Sequence, residues 1–331
     1  TSSAASDVYK RQPYNRPFSV HPPGTRLTPL WVIEIPSATS WTMDERRPYF
    51  AYGSNLNAAD LKAWSSSNGA NFSSMELICT AWLLDHSMAF HYFSRNRGGG
   101  AADVVQNGRG TAVPGVLFSL SDEGWSWMDK KEGCPRYYQR QVVFVITSAG
   151  DVVEAITYTV SPDMRRDELV PPTPAYAETV ETGLRNYKLP IEHLKFAIQN
   201  KANKPWISHV FVYGTLMNHG QRWAQLEPWS SGPVRGGSVM GRLYDLGAYP
   251  GLRPDDQGVV HGELHRCDEL AGALGELDVI EGHNAFDPSE GLYIRAPVLV
   301  RTASGSVWSW TYIINAIPDH ASVVPDGRWT S

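Results

Sequence analysis

Apolar residues fall along this chain in short runs, mostly alternating with polar ones and bounded by Gly, Pro, Asn or Asp. A period of two predicts half-buried strands, and the bounding residues predict turns. Val239-Met-Gly-Arg-Leu-Tyr-Asp-Leu246 and Val307-Trp-Ser-Trp-Thr-Tyr-Ile-Ile314 are examples. Ala177–Leu184 and Pro190–Ile198 instead carry apolar residues at helical spacing, predicting two amphipathic helices, the second opened by Pro190. Asn57 ahead of Ala58–Trp64 predicts a capped helix start. The mixture reads as α+β, dominated by antiparallel strands, with a small barrel in each half.

The halves are visible as an internal repeat. Phe211-Val-Tyr-Gly-Thr-Leu216 echoes Phe50-Ala-Tyr-Gly-Ser54, 161 positions later. Trp127-Met-Asp-Lys-Lys-Glu-Gly133 is answered by Leu277-Asp-Val-Ile-Glu-Gly282, and each Glu-Gly leads to a Tyr-x-Arg strand, at Tyr138 and at Tyr293. Three paired blocks in the same order predict a tandem duplication. The expected domains are 45–200 and 207–318, joined by the polar linker Asn200–Trp206. Residues 1–44 are expected as a mobile tail or remnant outside the fold, with a possible short strand at Leu30–Ile35. Asn284–Glu290 lengthens the Glu281-to-Tyr293 gap by six residues over its first-half counterpart, predicting a re-aimed second site or a lid.

Composition narrows the functional classes. The 331 residues are 42% hydrophobic, enough for two cores. A net charge of −5 argues against nonspecific binding of nucleic acid or an anionic membrane. No apolar run approaches the roughly 20 residues of a spanning helix. Three scattered cysteines, Cys79, Cys134 and Cys267, without a CxxC, suit a reducing compartment better than a disulfide framework or structural zinc. A cytoplasmic location is the expectation, since the N-terminal stretch has no apolar signal region.

Two features carry candidate chemistry. A strand running into Tyr-Gly-(Ser/Thr)-(Asn/Leu) before a helix can present backbone N–H groups and a hydroxyl to a carboxylate or oxyanion. An ordinary strand-to-helix turn would read the same. Glu132 and Glu281 each precede a glycine at an expected helix C-terminus, where the dipole disfavours ionisation. Facing an apolar pocket, such a carboxyl gains a pKa suited to acid/base work; facing water, it is a plain surface residue.

Phe50–Leu56, Met128–Gly133 and the Pro174-Ala-Tyr176…Gly183-Leu184…Leu189-Pro190 region resemble γ-glutamylcyclotransferase. Tyr213–Met217, Leu243–Pro250 and Leu277–Gly282 resemble the shorter γ-glutamylamine cyclotransferase and AIG2-like branch. The resemblance implies two tandem domains, each a mixed barrel with flanking helices. It also implies cofactor-free, metal-free release of 5-oxoproline from a small-molecule γ-glutamyl amide, by intramolecular cyclisation of lyase or acyltransferase type. Glu132 and Glu281 match the catalytic positions. Tyr52, Gly53, Ser54, Asn55 and Leu56, and Tyr213, Gly214, Thr215, Leu216 and Met217, match the loops that hold the glutamyl part. Tyr138, Tyr249 and Tyr293 stand as positioning or packing residues. Trp125, Trp127, Trp308 and Trp310 hint at an apolar or cationic leaving group. The rival expectations are a glutamyl amide hydrolase or transferase on the same scaffold, and a non-catalytic tandem carboxylate-binding module.

Overall fold

Strand β1 (Tyr49–Ala51) is wholly buried and starts the first barrel. The computed structural model describes residues 47–72 and 75–330, so the expectations for 1–44, the strand at Leu30–Ile35 included, lie outside the described residues. After β1, a single 3₁₀ turn at Ser54–Leu56 leads into α1 (Ala58–Asn68). Asn57 caps this helix as its residue type predicts, its Oδ1 accepting from the Ala59 and Asp60 N–H groups at 3.0 and 3.2 Å. Then follow β2 (Glu76–Leu84), the hairpin β3 (His86–Ser94) and β4 (Gly99–Gln106), β5 (Ala112–Ser119), α2 (Asp122–Glu132), β6 (Tyr138–Thr147) and β7 (Val152–Val160). Helices α3 (Pro174–Asn186) and α4 (Glu192–Ile198) complete this half. Their buried Tyr176, Val180, Leu184 and Leu194 join the barrel's core cluster. Pro190 lies ahead of α4 rather than in its first turn, because the boundary residue is Ile191.

The second half runs β8 (His209–Val212), α5 (Trp223–Leu226), β9 (Ser231–Met240), β10 (Arg242–Asp245), β11 (Pro250–Arg253), β12 (Val259–Arg266), α6 (Leu270–Glu281), β13 (Tyr293–Thr302), β14 (Gly305–Ile314) and β15 (Ser322–Val324). Its tail does not stop being structure at Pro318: β15 pairs with β10, Leu243 opposite Val324. Trp329 packs against the same core as Leu243 and Leu252.

Two closed five-stranded barrels result, ordered β1-β5-β2-β6-β7 and β12-β8-β14-β13-β9. The wiring is the same. Each barrel is antiparallel except where its first strand meets its last, β1 with β7 and β8 with β14, in parallel. Phe50 opposes Leu117 in the first and Phe211 opposes Leu264 in the second. Even a side-chain bond repeats: the Thr157 hydroxyl donates to the Phe50 carbonyl, and Thr311 to Phe211, each at 2.9 Å.

Both barrels belong to one compact unit, and the seam between them is largely apolar. Trp82 of β2 meets Trp308 of β14 edge-on at 4.9 Å and stacks on Trp206 at 6.1 Å. Ala112 lies in the second half's core cluster, and Trp206 Nε1 donates to its carbonyl at 3.0 Å. Arg253 reaches back to pair with Asp151 and to donate to the Gly150 carbonyl.

Candidate functional site

Helix α2 ends at Glu132 because Gly133 takes the left-handed backbone, φ 63°. The Cys134 N–H then folds back to the Asp129 carbonyl at 2.9 Å. Asp129 accepts two bonds from Arg140 of the Tyr-x-Arg strand, at 2.9 and 3.0 Å, and a third from the Tyr158 hydroxyl at 2.6 Å. One turn before Glu132, this group anchors the helix end to the barrel wall. The Tyr-Gly-Ser-Asn-Leu turn comes to the same place. Its Leu56 N–H closes on the Gly53 carbonyl at 3.1 Å, and Asn55 Nδ2 donates to Glu132 Oε1 and to the Tyr49 hydroxyl, each at 2.7 Å.

Glu132, Ser54, Tyr138 and Tyr176 line a cavity of about 1040 Å³. Beside them Arg97 stacks over the Tyr176 ring at 5.0 Å, grips Asp60 through two bonds at 2.6 and 2.7 Å, and donates to Ser54 Oγ at 3.3 Å. Burial acts most strongly and raises the Asp60 pKa, but the Arg97 fork and the Lys131 charge together outweigh it, and the carboxyl falls below its ordinary value. Burial pulls the Lys131 ammonium down from 10.5, against the opposing fields of Glu132 and Asp60. The floor of the cavity is thus a built cluster of two cations and two carboxylates.

The second half repeats the frame. Glu281 ends α6 at Gly282, φ 63°, and the His283 N–H folds back to Asp278 at 2.8 Å. Asp278 accepts from Arg295 at 3.2 Å and from the Tyr312 hydroxyl at 2.8 Å. The loop differs, because Leu216 stands where Asn55 does and is buried in the core. Glu281 therefore loses the amide that Glu132 receives. Burial pushes it up from 4.5 to about 7, with Arg222 pulling weakly the other way. A carboxyl raised in the fold binds its proton more tightly there than in the unfolded chain, so its stabilising protonated form is lost as pH rises from 4.5 to about 7. Glu281→Gln is accordingly expected to raise the denaturation midpoint at pH 8 and to leave it nearly unchanged at pH 4. Equal midpoint shifts at the two values would refute the burial argument.

Not every expected residue faces the cavity. Tyr52 and Tyr213 spend their hydroxyls on the Tyr158 and Tyr312 carbonyls, at 2.7 and 2.6 Å, so they hold the loop in place. Leu56 is core, with Gly183 packed against it. Tyr138 and Tyr293 donate to the Ala102 and Pro250 carbonyls at 2.8 and 2.5 Å, though the Tyr138 ring still lines the cavity. Tyr249 lies 6.3 Å from the Tyr293 ring, and Met217 packs on the core. Gly53 has φ −115°, so left-handed backbone does not explain it. Gly214 is explained by space: a Cβ there would meet the Pro250 ring at 2.5 Å. Thr215 accepts from the Arg222 N–H at 2.8 Å through its carbonyl.

The insertion after Gly282 leaves the helix cap at that glycine like the first one, φ 63° in both. Asn284 folds it through bonds from Phe286 and Asp287, and Asn315 ties it down at the Ser289 and Gly291 carbonyls. Trp125 and Trp310 are core residues, 3% and 0% exposed, and Trp308 is at the seam, so they line no leaving-group pocket. Arg97, Asp60 and Arg222 were not singled out by the sequence, and Lys131 and Tyr176 stand there only inside motifs, with no site role. The acid three residues before each Glu, Asp129 and Asp278, with the Tyr-x-Arg arginine that it binds, is the local signal for the helix anchor and not for these residues.

Residues 49–177 and 210–331 both match the family described as gamma-glutamyl cyclotransferase, AIG2-like. The chain belongs to this family. A Bos taurus gamma-glutamylcyclotransferase is 30% identical over 148 residues, 44% of this chain and 74% of that one. A Vibrio cholerae protein that bears the same name by inference is 35% identical over 129 residues, 36% of this chain and 93% of its own. A solved structure titled gamma-glutamyl cyclotransferase is 27% identical with a TM-score of 0.39, covering 48% of this chain and 88% of its own. Membership of the AIG2-like gamma-glutamyl cyclotransferases makes the chain an enzyme of that general type, acting on a small molecule. Among the described residues no helix is long and apolar enough to cross a membrane.

Proposed function

We propose that the first cavity holds a curled γ-glutamyl amide whose own α-amine attacks its γ-carbonyl. The new C–N bond closes the ring, the old amide C–N bond breaks, and 5-oxoproline and a free amine leave. Glu132 takes the ammonium proton and passes it to the departing nitrogen. The cavity contributes by holding the two ends of one molecule together, which replaces a bimolecular encounter. Ser54 and the opening N–H groups of its turn are suited to the α-carboxylate or the oxyanion.

The single observation that carries this reading is the Asn55–Glu132 bond of 2.7 Å at the cavity wall. It brings the turn and the acid, 77 residues apart in sequence, into one site. Glu281 is the proposed counterpart in the second half, and a carboxyl pushed to about 7 is well placed to give and take a proton near neutrality.

Incubation with γ-glutamyl amides and product analysis tests the proposal. Cyclisation yields 5-oxoproline, whereas a hydrolase yields glutamate and a transferase a new amide. A thermal shift with γ-glutamyl ligands but no product would identify a binding module. The variant Glu132→Gln/Glu281→Gln should release almost no 5-oxoproline; wild-type turnover there would discard both acids.

A further inference from the structure

The cavity's charge is divided. At its floor, Arg97 and Lys131 both approach Asp60, at 2.6 and 3.9 Å, and Glu132 lines the same space, two cations with two carboxylates. A γ-glutamyl group has one ammonium and one carboxylate, so this balanced floor matches it. The rest of the lining is not balanced. Arg95, Lys130, Arg136, Arg165 and Arg166 stand against Asp163 alone.

These cations come from separate parts of the chain: the β3–β4 turn, the last turn of α2, the loop into β6, and the segment after β7. Arg165 is neutralised by the buried Asp103 at 3.0 Å. Three of the others rest on aromatic faces: Arg136 over Tyr137 at 5.4 Å, Arg166 over Phe93 at 5.6 Å, and Lys130 over Trp127 at 4.8 Å. Such stacking holds a guanidinium in place while leaving its in-plane donors free for a carboxylate. Collecting like charges around one concave surface costs repulsion, and that cost is offset when an anion of matching charge binds there.

We infer that the outer wall of the first cavity recognises a leaving part carrying two or more negative charges, an acidic amino acid or a short acidic peptide joined through its amine to the γ-glutamyl group. The inference rests on the proposed cyclisation and names the other end of its substrate. It runs opposite to the apolar or cationic leaving group suggested by the tryptophan content.

The test compares three probes on the full-length chain carrying Glu281→Gln, so that only the first cavity is read. They are γ-glutamyl-glutamate, γ-glutamyl-alanine and γ-glutamyl-n-butylamine, whose leaving parts carry two, one and no carboxylates. The expected order of kcat/KM follows the charge, with at least about tenfold between the extremes at low salt. The gap should shrink severalfold in roughly 1 M salt, where the Debye length is about 3 Å. It should shrink equally in Arg95→Gln/Arg136→Gln/Arg166→Gln, through loss of the charged probe alone. Unchanged butylamine turnover in that variant shows that the fold and floor are intact. Equal use of the three probes, a preference for butylamine, or equal loss on all three overturns the charged-wall assignment while leaving cyclisation standing. If no probe gives 5-oxoproline, the cyclisation reading falls and this one with it.

Discussion

Glu132→Gln is expected to lower 5-oxoproline release from the first cavity by about 10²–10⁴-fold, the range a positioned general acid/base contributes. Glutamine has nearly the same shape and keeps an oxygen for Asn55, so the bond that fixes the side chain survives. The helix cap at Gly133 and the Asp129–Arg140–Tyr158 anchor are untouched. What is lost is the capacity to accept and return a proton. The loss should therefore appear in kcat with KM little changed and with the denaturation midpoint close to that of the parent. The measurement belongs in the Glu281→Gln background, where the second half contributes nothing. Glu132→Asp keeps the charge but withdraws it by one methylene, and should fall between the two. A kcat within twofold of the parent in Glu132→Gln would remove the acid from the mechanism.

Arg295→Ala should be the most damaging substitution to stability. Arg295 is 0% exposed and binds Asp278 at 3.2 Å and Asp85, from the other barrel, at 2.5 Å. Arg109, also from the first half, completes the group by reaching Asp278 at 2.9 Å. Only 6% of the Asp278 side chain is exposed, and this burial raises its pKa against the pull of Arg295 and the Tyr312 bond. Removing the central cation leaves Asp85 without its ion pair, Asp278 with Arg109 as its remaining ion-pair partner, and a cavity in place of the side chain. Breaking such a buried pair costs about 3–5 kcal/mol. The corresponding Arg140→Ala should cost only about 1 kcal/mol, because the Arg140 and Asp129 side chains are 29% and 35% exposed and water can replace the lost bonds. Urea denaturation of both variants checks the contrast. Similar midpoints would mean that the barrel seam carries no special electrostatic weight.

Much of the site was legible because it is made of local signals that occur twice. Tyr-Gly followed by a polar helix start, and Glu-Gly followed by Tyr-x-Arg, each reflect a backbone demand. The first needs a turn out of a strand, and the second a left-handed residue to end a helix. Such demands act within a few residues, so they are written in order along the chain. What the Tyr52 and Tyr213 hydroxyls bind was not legible, for the complementary reason. A tyrosine beside a catalytic loop can point at substrate or at a neighbouring strand, and only the strand pairing shows that the Tyr158 and Tyr312 carbonyls lie within reach. The cationic wall was missed because its residues come from three stretches of chain about 30 or more residues apart, around Arg95, Lys130–Arg136 and Arg165–Arg166. Tryptophan content pointed elsewhere because Trp125 and Trp310 are core residues whose aromatic faces meet other side chains.

From order and spacing alone, the chain's duplication, its α+β class and the two acids at helix ends could be read, since periodicity, capping and turn chemistry are short-range effects. Closure of each barrel, the meeting of Asn55 with Glu132, the replacement of that amide by the buried Leu216 near Glu281, and the ion cluster at the seam were decided by tertiary structure. Those features depend on which distant surfaces exclude water from one another, and solvent exclusion is a property of the packed chain rather than of any segment within it.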